Sequence, residues 1–231
     1  MKGFAVLVSN CAGRQELKAE HGLSLFIRYG ENDYLFDTGG SNLFIENSQF
    51  MNLRIENIKC AVLSHFHLDH ISGIPFLSRH FSMISGICDV YHPEFSETLK
   101  FPALRSNTVR ESQKLDDECF LILTKAVKDD ENFKEISMVA GNTLFTGCGH
   151  SGILNILKEA QNFSTVTTIA GGFHNFDMQK DKMKKTASDL FLLGIKRVIL
   201  LHCSSVNSIR YFEDAGIECI FGSVGNSFNI E

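Results

Sequence analysis

The chain has 231 residues, 44% hydrophobic and 21% charged, with a formal net charge of -5 at pH 7. That length builds one large domain or two small ones around a substantial core, and the balance is that of an ordinary globular protein. A negative net charge offers no broad attraction for nucleic acid or an anionic membrane, so neither is expected as a partner.

The first apolar run, Phe4 to Val8, is too short for a signal-peptide core, and Ser9-Asn10 ends it. No stretch approaches transmembrane length, so the chain is read as cytoplasmic. Runs rich in Val, Ile and Phe predict strands over 3–9, 23–29, 34–37, 59–64, 84–91, 119–124, 136–140, 143–147, 165–170, 197–202 and 217–221. Helices are predicted over 42–53, 71–80, 93–99, 151–160, 178–193 and 206–215. Gly30 to Asp33 reads as a hairpin loop, Gly141-Asn142 as a turn, and Gly194 as a helix C-cap. The polar stretch Arg105 to Glu118 reads as a mobile loop or lid, or as a solvated surface loop. No Pro/Ser/Gly linker and no repeat divides the chain, so a single domain over 1–231 is expected. The seven cysteines are scattered and never spaced as CxxC, which suits reduced thiols better than a disulfide framework.

The chemistry concentrates in "HFHLDH", residues 65–70, which holds three of the nine histidines and an aspartate directly after an apolar run. In extended backbone, residues two apart point the same way, so His65 and His67 present two imidazoles to one ion. Asp69 and His70 follow as the chain turns into a helix and are placed to serve a second. Imidazole and carboxylate suit zinc, iron or manganese, and the absence of clustered thiolates argues against a four-cysteine structural zinc site. Further ligands have to come from elsewhere. "GCGHSG" offers His150 between a strand and a helix, "LLHCSS" offers His202 at the end of an apolar strand, and "DTGG" places Asp37 at another strand end, where a carboxylate fixes the tautomer of a ligand imidazole. Alone, His202 would read as a satisfied core histidine and His150 as a helix-start residue. Beside HxHxDH both become candidate ligands, because one or two ions need four or five donors each.

HxHxDH resembles the metallo-β-lactamase superfamily. "AEHGLSLFI" (19–27), "LFDTGGSNLFIEN" (35–47), "AVLSHFHLDHISGI" (61–74), "FTGCGHSGILNI" (145–156), "IAGGFH" (169–174) and "LGIKRVILLHCSS" (193–205) resemble, in the same order, the branch named for 7,8-dihydropterin-6-yl-methyl-4-(β-D-ribofuranosyl)aminobenzene 5′-phosphate synthase. The resemblance implies an α/β fold, an αβ/βα four-layer sandwich of two mixed sheets face to face with helices outside. By motif it implies that His65, His67 and His150 hold one ion, that Asp69, His70 and His202 hold the second, and that Asp37 supports them from behind. Where most of the superfamily has a metal-bridging aspartate this chain has Cys148, read as a ligand, a lining residue or packing. His174, in "GGFH", is placed by the resemblance at the active-site edge, facing the metals, binding a substrate phosphate or passing a proton; His21 is a weaker candidate of the same kind.

The expected function is a metal-dependent hydrolase or transferase, mononuclear or dinuclear and most simply zinc-loaded. It would use metal-activated water or a metal-stabilised leaving group on a small phosphorylated or pyrophosphorylated, pterin-like metabolite. Asp69 and His174 are the catalytic candidates. The alternatives are an iron-loaded redox or oxygen-binding protein of the same fold, which usually carries a flavin domain that 231 residues cannot hold, and a non-catalytic metal-binding protein.

Overall fold

The computed structural model describes residues 2–94, 100–125, 133–176 and 178–231. The chain forms two compact units, Met1–Glu111 with Ser223–Ile230, and Ser112–Gly222 with Glu231. Each is built on one mixed seven-stranded sheet.

The first unit contains β1 (Gly3–Val8), β2 (Ser24–Tyr29), β3 (Asn32–Phe36), β4 (Cys60–Val62), β5 (Cys88–Pro93), β6 (Leu104–Val109) and the C-terminal β14 (Ser227–Asn229), in the order β14-β1-β2-β3-β4-β5-β6. From β14 to β3 the neighbours are antiparallel; from β3 to β6 they are parallel. Helices α1 (Leu43–Phe50), α2 (Leu68–Ile71) and α3 (Ile74–Met83) connect the parallel strands. Phe44, Leu35, Ala61, Leu63, Ile74, Leu77 and Phe81 anchor its core.

The second unit repeats the plan. Strands β7 (Gln113–Asp116), β8 (Cys119–Lys125), β9 (Lys134–Ala140) and β10 (Thr143–Thr146) run antiparallel, and β10, β11 (Thr168–Gly171), β12 (Arg197–Leu200) and β13 (Glu218–Phe221) run parallel. The crossovers are α4 (Ile153–Ala160), α5 (Lys180–Leu192) and α6 (Ile209–Asp214). The buried face of α4 is Ile153, Ile156, Leu157 and Ala160, the i, i+3, i+4, i+7 stripe that the sequence shows. On α5, Met183, Ala187 and Leu190 face inward while the lysines stay outside. Burying each such Leu or Ile side chain contributes about 1.5–3 kcal/mol before the entropic cost of ordering. Gly194 ends α5 at φ 90°, with Ile195 N–H closing on the Leu190 carbonyl.

Four expectations need correction. Arg105 to Glu118 is not a loop: it carries β6 and β7. The β6 strand has polar, exposed residues at Arg105, Ser106 and Thr108, so no apolar run marks it; its attachment is the parallel pairing with β5 and the Asp89 carboxylate, which accepts from Arg105 and Asn107. The helix expected over 71–80 is two helices broken at Ser72-Gly73. The strand expected from 84 begins only at Cys88. Of the helix expected over 93–99, Pro93 instead ends β5, and 95–99 lie outside the described residues. The short β14 was not anticipated. All seven cysteines are free thiols, and among the described residues no helix is long and apolar enough to cross a membrane.

Candidate metal centre

Parallel strands gather their C-terminal ends along one edge of a sheet, the usual place for binding groups in α/β folds. Asp37 directly follows β3, and the 64–70 segment follows its parallel neighbour β4. Backbone bonds latch the two segments: Asp37 N–H donates to the Val62 carbonyl at 2.8 Å, and Thr38 donates to the His70 carbonyl through both N–H (2.8 Å) and hydroxyl (3.0 Å).

Asp37 is fully buried and satisfied on both oxygens. Oδ1 accepts from Ser64 N–H at 2.7 Å; Oδ2 accepts from the Ser64 hydroxyl at 2.7 Å and pairs with His70 Nδ1 at 2.7 Å. The Ser64 hydroxyl has a single proton, given to Asp37, so it accepts from His65 Nδ1–H at 2.9 Å. That relay fixes both tautomers: Nε2 is the lone-pair nitrogen of His65 and of His70. His65 Nε2 stands 3.0 Å from His67 Nδ1. Two nitrogens bound to one tetrahedral ion at about 2.0–2.1 Å would stand about 3.3 Å apart. The spacing of these two nitrogens is thus near what one shared ion requires. Asp69 Oδ2 lies 3.6 Å from His70 Nε2 and 3.3 Å from His21 Nε2, which brings His21 to the same cluster.

The second unit carries the other candidates at equivalent strand ends. Cys148 and His150 follow β10, His174 follows β11, and His202 and Cys203 follow β12. His150 and His174 rings stack tilted, with centroids 4.6 Å apart. The loop carrying His150 is held from below by Glu135, a buried carboxylate on β9 that accepts from His150 N–H (3.1 Å) and Ser151 N–H (2.6 Å). Burial pushes the Glu135 carboxyl up, against the two backbone N–H bonds that favour its charged form. Cys203 accepts from His174 N–H at 3.3 Å, and its side chain meets the Cys148 thiol. The Cys148 hydrogen bond, then His174 and His202, pull the Cys203 thiol well below the ordinary thiol range despite its burial. One donor atom each from Cys148, His174 and Cys203 lie within 4.8 Å of one another. Gly171 and Gly172 make this approach feasible: a Cβ on Gly171 would strike the Thr146 carbonyl, and one on Gly172 the Gly147 carbonyl and the Cys203 sulfur.

Strain marks the same residues. Six described non-glycine residues have positive φ, and three are Asp37 (58°), His174 (46°) and His202 (43°). Such backbone is retained where surroundings over-determine it, which is common at functional sites.

The donor chemistry fits a divalent ion: imidazoles with set tautomers, carboxylates and a carboxylate–histidine support of the kind metal sites use. Sequence reasoning missed Ser64, Glu135 and the full involvement of Cys203. A glutamate opening the mostly apolar strand "EISMVA" was a readable signal for Glu135; the Ser64 relay, which depends on the pairing of β3 with β4, was not.

A family profile for the metallo-beta-lactamase superfamily matches residues 17–154. MJ0448 of Methanocaldococcus jannaschii is 24% identical over 97% of this chain and 99% of its own. The 7,8-dihydropterin-6-methyl-4-(beta-D-ribofuranosyl)-aminobenzene-5'-phosphate synthase of the same organism is 22% identical over 84% of each chain. Among solved structures, Tm1679, a metal-dependent hydrolase of the beta-lactamase superfamily, superposes on 100% of this chain and 99% of its own with a TM-score of 0.82 at 20% identity. Since the profile spans more than half of the sequence and the fold agrees along all of it, the chain belongs to the metallo-beta-lactamase superfamily.

Proposed function

We propose that the chain is a metal-dependent hydrolase acting on a small phosphorylated or pyrophosphorylated metabolite, with a transferase reaction on the same machinery as its near variant. The observation that carries this reading is the buried relay from Asp37 through Ser64 to His65, with its branch to His70. A relay that presents imidazole lone pairs beside His67 and Asp69 suits ion binding better than core packing. The proposed ligands are His65, His67 and His150 for one ion and Asp69, His70 and His202 for another, zinc being the simplest occupant and iron or manganese the substitutes. When bound, such ions lower the pKa of water towards neutrality and polarise the electrophile. Asp69 would hold and orient the attacking water as well as serve as a ligand. His174, exposed beside Cys203, hands a proton to the departing oxygen. The pterin-like, phosphorylated substrate class follows the synthase relative; in the transfer variant an amine takes the place of water.

The test is turnover of phosphodiester and pyrophosphate substrates by the protein as purified, after chelation, and after return of zinc, manganese or iron. The reading expects activity that chelation abolishes and a divalent ion restores, with none in His67→Ala. Turnover indifferent to chelation would overturn it, and metal binding without turnover on any such substrate would favour a non-catalytic metal protein.

A further inference from the structure

The second unit contains a cavity of about 350 Å³ lined by Asn175, Phe176, Met178, Lys180, Met183, Ser205, Asn207, Ser208, Arg210 and Tyr211. That size suits a small ligand. We infer that it is an anchoring site for an organic phosphate or diphosphate, distinct from the metal ligands themselves. The inference rests on the proposed hydrolase reading for its purpose, since it names what holds the substrate of that reaction.

The described lining has two cations, Lys180 and Arg210, and no carboxylate; Asp177, between Phe176 and Met178 in the chain, lies outside the described residues. No ion pair holds either cation among the described residues. Arg210 is nonetheless preset: Nη2 donates to the Tyr211 hydroxyl at 2.7 Å and the guanidinium lies 4.7 Å over the Tyr211 ring. One of its five donors is thus used, and the planar fork is suited to two oxygens of a phosphate. Helix α5 opens at Lys180 with no side-chain cap from Gln179, and Asp181 in its first turn offsets part of the positive potential of that end, so the two cations carry the attraction.

The floor is built rather than incidental. Asn175 is 3% exposed; its Oδ1 accepts from Ser205 N–H at 2.7 Å and its Nδ2 donates to the Ser208 hydroxyl at 3.3 Å. The Ser205 hydroxyl caps the following turn by accepting from Asn207 N–H. These bonds tie the loop after β11 to the loop after β12. Phe176, Met178, Met183 and Tyr211 line the apolar remainder, so the occupant is a phosphate carrying an apolar or aromatic group rather than a bare ion. Asn175 directly follows His174 and Ser205 lies three residues after His202. An anion held here is anchored by the loops that carry two of the candidate functional histidines.

The test titrates inorganic pyrophosphate and phenyl phosphate into the full-length chain after chelation, so that binding reads the cavity and not the ions. Wild type should bind both, with affinity falling as salt is raised, and phenyl phosphate should bind more tightly than inorganic phosphate titrated alongside it. Lys180→Ala and Arg210→Ala should each weaken binding by about tenfold or more, since each removes a charge-assisted bond to phosphate. Lys182→Ala/Lys184→Ala, which keeps the cavity and removes two positive charges, as many as the Lys180→Ala/Arg210→Ala protein loses, should bind as wild type. Equal binding by the Lys180→Ala/Arg210→Ala protein, an equal loss in the control, or no binding by chelated wild type would overturn the inference. Metal content, read separately on the same preparations, reports on the hydrolase reading, so the two can fail independently.

Discussion

Asp37 organises the candidate residues of the first unit, its two oxygens accepting from three donors. Its φ of 58° aims the carboxylate back under Ser64 and His70, and asparagine tolerates that backbone. Asp37→Asn should therefore fold while losing the charged acceptor that holds His70 and the Ser64 relay in their tautomers. Metal affinity should fall about ten- to a hundred-fold, as for other supports behind ligand histidines, and titration of the chelated protein with zinc measures it. An unchanged affinity would mean that Asp37 only latches β3 to β4. At this scale the sequence was informative where the chemistry is local. HxHxDH announces itself in six residues, and Asp37, His150 and His202 stand at strand ends that an apolar run marks. Ser64 was not legible, because a serine beside a histidine is commonplace until strand pairing puts a buried carboxylate beneath it. Cys203 was not legible among seven scattered cysteines, since its character comes from Cys148, 55 positions away, and from the His174 N–H.

Among elements, the parallel strands of each sheet end in the candidate residues, and in the second unit an antiparallel strand adds support. Glu135 gives that support: from β9 it neutralises two N–H groups of the 147–152 loop. Glu135→Ala should cost about 1–3 kcal/mol in urea unfolding, the loss of the N–H partners being partly offset by relief from a buried carboxylate. It should also weaken metal binding if His150 is a ligand, whereas Glu135→Ala with wild-type metal affinity would restrict Glu135 to stability. The β6 strand makes a pH prediction. Hydrogen bonding to Arg105 holds the Asp89 carboxyl below its ordinary 3.8. Its contribution to stability is accordingly present above pH 3.8 and lost as pH falls through the lower, folded-state value. Wild type should exceed Asp89→Asn in urea midpoint at neutral pH, modestly because the pair is exposed, and the gap should close on acidification. A gap that persists in acid would show that the asparagine perturbs β6 by some other route. Strands and helices with a buried apolar face were legible to within a few residues. The β6, β7 and β14 strands were not, because edge or polar strands are held by pairing and side-chain bonds that leave no period in the sequence.

For the whole molecule, family membership and the α/β fold with two mixed seven-stranded sheets are established, and the resemblance visible in the motifs anticipated both. The central claim is that histidines 65, 67, 70, 150 and 202 and Asp69 exist to hold catalytic ions, from segments spread over 138 positions of the chain. Ions bound only by the folded chain also stabilise it, by about 2.7 kcal/mol at a hundred times the dissociation constant, so chelation should lower the melting temperature. The most direct measurement is metal stoichiometry by elemental analysis, with zinc titration, on wild type, His67→Ala and His202→Ala. The account predicts up to two ions per wild-type chain, loss of the ion shared with His65 in His67→Ala, and retention of that ion with loss of the other in His202→Ala. Full wild-type stoichiometry and affinity in folded His67→Ala would contradict it.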